Sequence, residues 1–225
     1  MTDLLSLLGV SFLLGMRHAT DPDHLVAVAA IVARHATARA ALAVGALWGV
    51  GHTLMVFAVG GAIVLFGVTV PPRMGLFLEL GVAGMLIALG AVNLAGALGN
   101  REPSAHGHAG SSSPPRASTL FAAARPLAVG MVHGVAGSAA VALLVVATAH
   151  STSSALGYLV VFGVGTLLGM TLLTGLMVRP LARTRAWSRE HKTLFVRATG
   201  LLSVGFGVFL AYRVGVTDGL FAAIQ

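Results

Sequence analysis

Six long apolar stretches run through the chain and limit the folds that are open to it. They cover residues 4–33, 41–70, 76–99, 127–149, 155–178 and 194–215. A helix needs about 20 apolar residues to cross the hydrocarbon core of a bilayer, and every stretch is long enough. Only 9% of the residues are charged, whereas a soluble domain carries about a quarter. The pattern predicts an all-α, polytopic membrane protein with about six transmembrane helices.

A charged sequence interrupts the first apolar stretch near its middle. Residues 17–24 read Arg-His-Ala-Thr-Asp-Pro-Asp-His. Asp21 followed by Pro22 is a helix-start signal, with Asp21 as the N-cap and Pro22 at the first helical position. We therefore expect one helix to end near Ala19 and another to begin at Pro22, so that the first transmembrane helix is broken inside the membrane. A seven-span arrangement, in which residues 4–33 cross twice, is also compatible with the loops.

Basic residues are concentrated in three loops, which sets the expected orientation. Loops 34–40, 100–126 and 179–197 hold most of the arginines, whereas the loops on the other side carry only Arg73. Because basic loops stay in the cytoplasm, six spans place these three loops there and both termini outside. This bias accounts for the formal net charge of +7, so we expect no nucleic-acid partner.

The same features predict a multi-pass protein of the cell inner (plasma) membrane. We expect no cleavable signal peptide, because the first apolar stretch lacks a basic leader and no clear cleavage site precedes Arg17. The lipid bilayer is therefore a partner along the whole chain, and the pattern is compatible with a homo-oligomer.

The chain divides into two three-helix halves, residues 1–99 and 127–225. Residues 100–126 are rich in Ser, Pro and His and form a flexible cytoplasmic linker by composition.

The two halves resemble each other. Residues 15–18, Gly-Met-Arg-His, resemble residues 130–133, Gly-Met-Val-His, and residues 49–51 and 163–165 are both Gly-Val-Gly. An odd number of spans in each half would make the repeat inverted. Transporters built in this way form their sites at the repeat interface from discontinuous helices.

The interrupted helix supplies the strongest candidates for a functional site. Ionisable residues inside a membrane span are costly and mark a functional site by default. In a continuous helix, His18 and His24 would point to different faces, because six residues advance about 240°. A break between them removes this objection, and imidazoles with carboxylates suit Ni, Cu or Zn. We predict His18, Asp21, Asp23 and His24 as metal ligands, the alternative being a polar cluster that only fixes the kink.

Two further intramembrane histidines are candidate ligands. His52 follows Trp-Gly-Val-Gly inside the second span, and His133 occupies the repeat position of His18. Either could instead be a hydrogen-bonded packing residue, and the sequence leaves this open for His133. The chain has no Cys, which excludes thiolate ligands. Around these ligands we predict four supporting residues, Arg17, Thr53, Asn93 and Ser138.

These motifs resemble those of a known family. Residues 17–25 contain a His-x4-Asp-His sequence that resembles the first signature of the nickel/cobalt transporter family (NiCoT), and are most similar to its short urease-accessory-type membrane branch. Gly51-His52-Thr53 is similar to the second signature, and residues 133–138 resemble the pattern that opens the second half in the short branch. The resemblance implies transport of Ni²⁺ or Co²⁺, with His18, Asp23, His24 and His52 as the signature residues.

Uptake of a divalent transition-metal ion is the function that these observations favour. We expect Ni²⁺ first and Co²⁺ second, as transported substrates rather than cofactors, and no enzymatic activity. The alternatives are export of the same ions, an intramembrane zinc-dependent hydrolase, and a structural or sensory subunit. Exporters typically have a longer His-rich cytoplasmic loop, and this linker has only His106 and His108. A His-Glu-x2-His zinc motif is absent from the sequence.

Overall fold

The computed structural model describes residues 2–33, 37–68, 71–98, 124–137, 151–183 and 189–221. Within these ranges the secondary structure is entirely helical, which confirms the all-α prediction. The helices in chain order are α1 (Thr2–His18), α2 (Pro22–Val32), α3 (Ala38–Phe66), α4 (Pro72–Leu98), α5 (residues 124–137), α6 (Thr152–Arg183) and α7 (Arg189–Tyr212), and α7 continues into a π-helical turn at Arg213–Thr217.

Four of the helices, α3, α4, α6 and α7, are long and apolar enough to cross a membrane. The predicted stretch 4–33 is divided between α1 and α2, and residues 127–137 of the stretch 127–149 lie in α5. The count of six spans stays a prediction. Most of the linker, with His106 and His108, lies outside the described residues, as does Ser138.

The break in the first helix lies where the sequence predicts it. α1 ends at His18 and α2 begins at Pro22, which has no N–H to donate and is therefore suited to the first helical position. Asp21 occupies the N-cap position with an extended backbone, φ −59° and ψ 144°, but its side chain makes no capping hydrogen bond. Its carboxylate is turned toward His18 instead, as described below.

α1 and α6 run parallel to each other. The Ser11 hydroxyl near the middle of α1 donates to the Tyr158 carbonyl, at 2.7 Å. Directly after the end of α1, Ala19 packs against Gly169 farther along α6. Residue numbers therefore increase in the same direction along both helices.

α3 packs on the same helix in the opposite direction. Gly45 lies against Thr174, and Gly49, one turn later, lies against Leu167. α4 and α7 form a second antiparallel pair, and α2 contacts both of them. The buried Asn93 amide of α4 donates to the Ala30 carbonyl of α2, at 2.7 Å, and fixes α2 to this pair.

Two close helix–helix contacts occur twice in the molecule. Between α1 and α6, Gly15 lies on the carbonyl of Phe162, and Gly165 lies on the carbonyl of Phe12. Between α3 and α5, Gly130 lies on the carbonyl of Trp48, and Gly51 lies on the carbonyl of Leu127. A Cβ atom at any of the four glycines would overlap the facing carbonyl oxygen. The glycines correspond at offsets of 115 (130 − 15) and 114 (165 − 51), the offsets at which the two halves resemble each other.

Two apolar clusters lie at different levels of this bundle. One contains Trp48 and is built mainly from residues of α2, α3 and α4. The other contains Phe162 and is built from α3 and α6, with Val56 as its α3 residue. Since His52 lies between Trp48 and Val56 along α3, the histidines described next lie between the two clusters.

Candidate metal centre

Four histidines from four different helices meet in the interior of the bundle. His18 ends α1, His24 lies in the first turn of α2, His52 is in the middle of α3 and His133 is in α5. The ring of His24 is central, with its centroid 4.8 Å from that of His18, 5.2 Å from that of His52 and 4.3 Å from that of His133. The break in the first helix therefore brings His18 and His24 together, and the other two helices contribute one imidazole each.

Asp21, which lies in the break between α1 and α2, orients the His18 ring. Its Nδ1–H donates to Asp21 Oδ2 over 2.8 Å. In a neutral ring that donates from Nδ1, Nε2 carries a lone pair. This Nε2 lies 3.2 Å from Nε2 of His52, whose N–H can donate to it, so the two ring nitrogens face each other.

Asp23 connects the two remaining histidines. His133 donates from Nε2 to Asp23 Oδ2 over 2.8 Å. The other carboxylate oxygen lies 3.3 Å from Nδ1 of His24. Because Asp23 is the second residue of α2, the start of that helix aims its carboxylate between α2 and α5.

The ring nitrogens of these histidines are buried with few partners. His24, His52 and His133 are 1%, 0% and 2% exposed. Among the described residues, neither nitrogen of His24 has a hydrogen-bond partner, and the same is true of Nδ1 of His52 and Nδ1 of His133. A buried polar atom without a partner costs about 1–3 kcal/mol. Four such nitrogens in one place are unfavourable for folding alone and are suited to binding a cation.

Aromatic rings enclose the cluster from two sides. The Trp48 ring lies 5.4 Å from that of His24 and 5.7 Å from that of His133, measured between centroids. Phe162 lies 5.6 Å from His18 on the α6 side. Neither aromatic residue was predicted as part of the site, although each directly precedes one copy of the repeated Gly-Val-Gly.

Gly137 of α5 is a further residue of the site that sequence reasoning did not assign. A Cβ atom at this position would lie 3.3 Å from Cε1 and Nε2 of His18 and 3.8 Å from Cε1 of His52. The absence of a side chain therefore leaves room next to the two nitrogens that face each other.

The predicted supporting residues lie farther from the histidines. Arg17 is exposed, and its carbonyl accepts a hydrogen bond from the Thr20 hydroxyl. The buried Thr53 hydroxyl donates to the Gly163 carbonyl of α6 at 3.4 Å, and Asn93 binds the backbone of α2. Thr53 thus joins α3, which carries His52, to α6, and Asn93 joins α2, which carries His24, to α4. Ser138 lies outside the described residues.

The geometry is compatible with coordination of a transition-metal ion. The candidate ligand atoms of His18, His24 and His52 all lie within 4.8 Å of one another. Zinc–imidazole bonds of about 2.0–2.1 Å at angles of 90–110° would separate two nitrogens by about 2.9–3.4 Å. The 3.2 Å between His18 and His52 falls in this range, and imidazole suits Ni as well as Zn and Cu.

Comparisons with known proteins give the same indication. A family model described as a high-affinity nickel-transport protein (NicO) matches residues 4–100. The chain is 33% identical over 223 residues to the urease accessory protein UreH of Bacillus sp. (strain TB-90), and the match covers 97% of this chain and 96% of the relative. No solved structure matches the chain. The residues matched by the family model include His18, His24 and His52.

Proposed function

Because the chain belongs to the nickel/cobalt transporter family, in its urease-accessory-type branch, we propose that its cargo is Ni²⁺ first and Co²⁺ second, taken up through the histidine cluster. The family membership makes the chain a metal-ion transporter in a membrane rather than an enzyme. The proposal adds the identity of the ion, the direction of transport and the residues that bind the ion.

One observation carries the proposal of the site. His18, His24 and His52 converge with their nitrogens buried, and His24 keeps both nitrogens without a hydrogen-bond partner among the described residues. Buried ionisable groups at membrane depth are costly and rare unless they serve transport or catalysis. A dication that exchanges its water for one nitrogen of each of these histidines would give the buried imidazoles a ligand that they suit.

The carboxylates provide the route from water to the buried nitrogens. The side chains of Asp21 and Asp23 are 46% and 28% exposed, whereas that of His18 is 16% exposed. A hydrated cation therefore meets negative charge first and imidazoles second. Asp21 and Asp23 also orient His18 and His133, as carboxylates commonly do for metal-binding histidines.

Inward movement agrees with the membrane potential. A potential of about 100 mV, negative inside, favours entry of two positive charges by about 4.6 kcal/mol. We place the basic loops 34–40, 100–126 and 179–197 in the cytoplasm and the protein in the plasma membrane.

We also propose six spans, with the two halves as inverted repeats. α1 runs along α6 in parallel, whereas α3, which follows α1 and α2 in the chain, runs along α6 in the opposite direction. α1 and α2 together would then form one crossing that is broken near the middle. The twofold occurrence of the glycine–carbonyl contacts supports the repeat, and a site at such an interface is typical of inverted-repeat transporters.

The test is the nickel content of cells at nanomolar external nickel, measured by mass spectrometry. Cells expressing the wild-type chain should accumulate more nickel than cells with an empty vector, and His24→Ala should remove the difference. His191→Ala, which changes an exposed histidine at the start of α7, is the matched control and should behave as wild type.

The direction and the ion are tested in the same experiment. A nickel content below that of the vector would make the protein an exporter. Equal nickel in all cells, with a rise in cobalt when cobalt is supplied, would assign Co²⁺ as the cargo. Equal contents of both metals would contradict the proposed function.

A further inference from the structure

The candidate ligand atoms form two groups rather than one. His18, His24 and His52 make one group, and Asp23, His24 and His133 make the other, each with its ligand atoms within 4.8 Å of one another. His24 is the member that both groups share. The first group, which we name the imidazole position, contains neutral ligands, and the second, the carboxylate position, adds a negative charge.

The environment of His24 suits a ligand that serves both groups. Its centroid is 4.8 Å from that of His18 on one side and 4.3 Å from that of His133 on the other. Both of its ring nitrogens are buried without a hydrogen-bond partner among the described residues. Its Nδ1 lies 3.3 Å from Asp23 Oδ1 without making a hydrogen bond, so the ring also borders the carboxylate of the second group.

We propose that the cluster holds its metal ion at these two adjacent positions in turn, with His24 as a ligand at both. The inference rests on the proposed transport function and goes beyond it, because it divides passage through the site into two successive binding positions. Two dications a few ångströms apart repel each other strongly, so one ion at a time occupies the pair. Because the two groups share the His24 ring, an ion that leaves one position has the ligands of the other close by.

The two positions differ in the ions they favour. Three imidazoles select ions that accept nitrogen ligands, such as Ni²⁺, Co²⁺ and Cu²⁺, whereas a carboxylate also suits harder ions. The imidazole position therefore supplies most of the selectivity. The carboxylate position, with Asp23 28% exposed, connects the selective position to water.

The experiment combines nickel binding by the purified full chain with nickel uptake in cells. His52→Ala removes a ligand of the imidazole position, His133→Ala removes a ligand of the carboxylate position, and His24→Ala affects both. We expect the wild-type chain to bind one Ni²⁺, and His24→Ala to weaken binding about 100-fold. His52→Ala and His133→Ala should each weaken it less than about tenfold, yet each should lower uptake by about tenfold or more.

Nickel X-ray absorption gives a readout that a purely structural role would not change. With His133→Ala the bound ion should have three imidazole ligands, whereas with His52→Ala it should have two imidazoles and a carboxylate. His133→Gln and His52→Gln replace the alanine variants if these do not give folded protein by gel filtration.

Three results would overturn the inference. Loss of binding in His133→Ala or His52→Ala as large as that in His24→Ala would mean a single position. An identical set of nickel ligands in the two variants would also mean that the site has a single position. Unchanged uptake in His133→Ala would place the carboxylate position outside the transport pathway. Absence of nickel binding by the wild-type chain is a different outcome, because it contradicts the proposed function itself.

Discussion

The α1–α6 and α3–α5 helix pairs are packed alike but contribute differently to the site. In both pairs, a glycine of each helix lies on a backbone carbonyl of the other helix. The first pair leads into the break, with its two histidines and two aspartates. In the second half, the residues 115 positions after His18, Asp21, Asp23 and His24 are His133, Ala136, Ser138 and Ala139, so the histidine recurs but the carboxylates do not.

This difference indicates what each half contributes to the candidate site. The shared glycine contacts set the distance between the helices of each pair, and each pair joins a helix of the first half to one of the second. The first half adds ligands, whereas the second half adds His133 and leaves space at Gly137 for the rings of His18 and His52. Packing is therefore common to the two helix pairs, and the candidate ligands are concentrated in the first half.

The largest effect is expected from filling the shared contacts. Gly15→Leu and Gly130→Leu each push a side chain into a backbone carbonyl that has little freedom to move, and overpacking costs about 1–3 kcal/mol, occasionally more. Both variants should lose most of their monodisperse protein in detergent, to a similar degree, as measured by gel filtration and thermal unfolding.

Exposed positions on the same helices provide the controls for these substitutions. Gly9→Leu on α1, where a Cβ would meet nothing within 4 Å, and Ala128→Leu on α5, which is exposed, should leave the yield unchanged. If only one of the two glycines proves sensitive, the two helix pairs are not packed equivalently.

A smaller effect is expected when the first half is made to resemble the second at the break. Asp21→Ala introduces the residue found at position 136 and removes the acceptor of the His18 Nδ1–H bond. Loss of a carboxylate that orients a metal-binding histidine typically lowers affinity or activity about 10–100-fold. Uptake measured over a range of nickel concentrations should show a loss of this size in apparent affinity, with normal amounts of protein.

Asp21→Asn separates orientation from charge. The amide oxygen still accepts from His18 Nδ1, so a variant with nearly normal uptake would assign the role to orientation. A loss as large as that of Asp21→Ala would assign it to the negative charge that attracts the ion. Normal uptake in Asp21→Ala would remove Asp21 from the site.

The location of the break was predictable from sequence because it depends only on residues that are adjacent in the chain. Pro22 has no N–H and restricts Asp21 to an extended backbone, which ends one helix and starts another whatever lies around them. The convergence of His18, His24 and His52 could also be expected, because ionisable groups in a membrane span are rare, and their role as ligands stays a prediction. The roles of the aspartates were not predictable, since the pairing of Asp23 with His133 depends on how closely α5 approaches α2.

Contacts between helices explain why Trp48 and Gly137 could not be assigned to the site from sequence. Trp48 and Gly137 lie beside histidines that are distant in sequence, and only the placement of α3 and α5 brings them there. That placement follows from glycine–carbonyl contacts whose partners no short pattern reveals. Comparing the two halves would have helped, because Trp48 and Phe162 occupy corresponding places before Gly-Val-Gly.

A moderate effect is expected from filling the space that the second half provides. In Gly137→Ala the new Cβ would lie 3.3 Å from the His18 ring, so the ring must move by a few tenths of an ångström. Small displacements of binding groups have large consequences, and we expect about a threefold to tenfold loss of nickel affinity by calorimetry. Gly61→Ala, with nothing within 4 Å, is the matched control, and equal affinities in the two variants would show that the space is not needed.

The smallest effect is expected from exchanging the aromatic residue of the first half for that of the second. Trp48→Phe removes volume from a residue that is 1% exposed, which costs stability. It also removes the indole N–H, which is buried without a partner among the described residues. Because an unpartnered buried donor costs about 1–3 kcal/mol, the two effects should nearly cancel, and the stability should change by about 1 kcal/mol or less.

Uptake decides whether the indole N–H has a role during transport. If the two aromatic rings only enclose the cluster, a phenyl ring at position 48 should serve as the one at Phe162 does, and nickel uptake by Trp48→Phe should be close to that of wild type. A loss of uptake with unchanged stability and unchanged nickel binding would mean that the indole finds its hydrogen-bond partner only in another conformation of the transporter. The two halves would then differ in movement as well as in ligands.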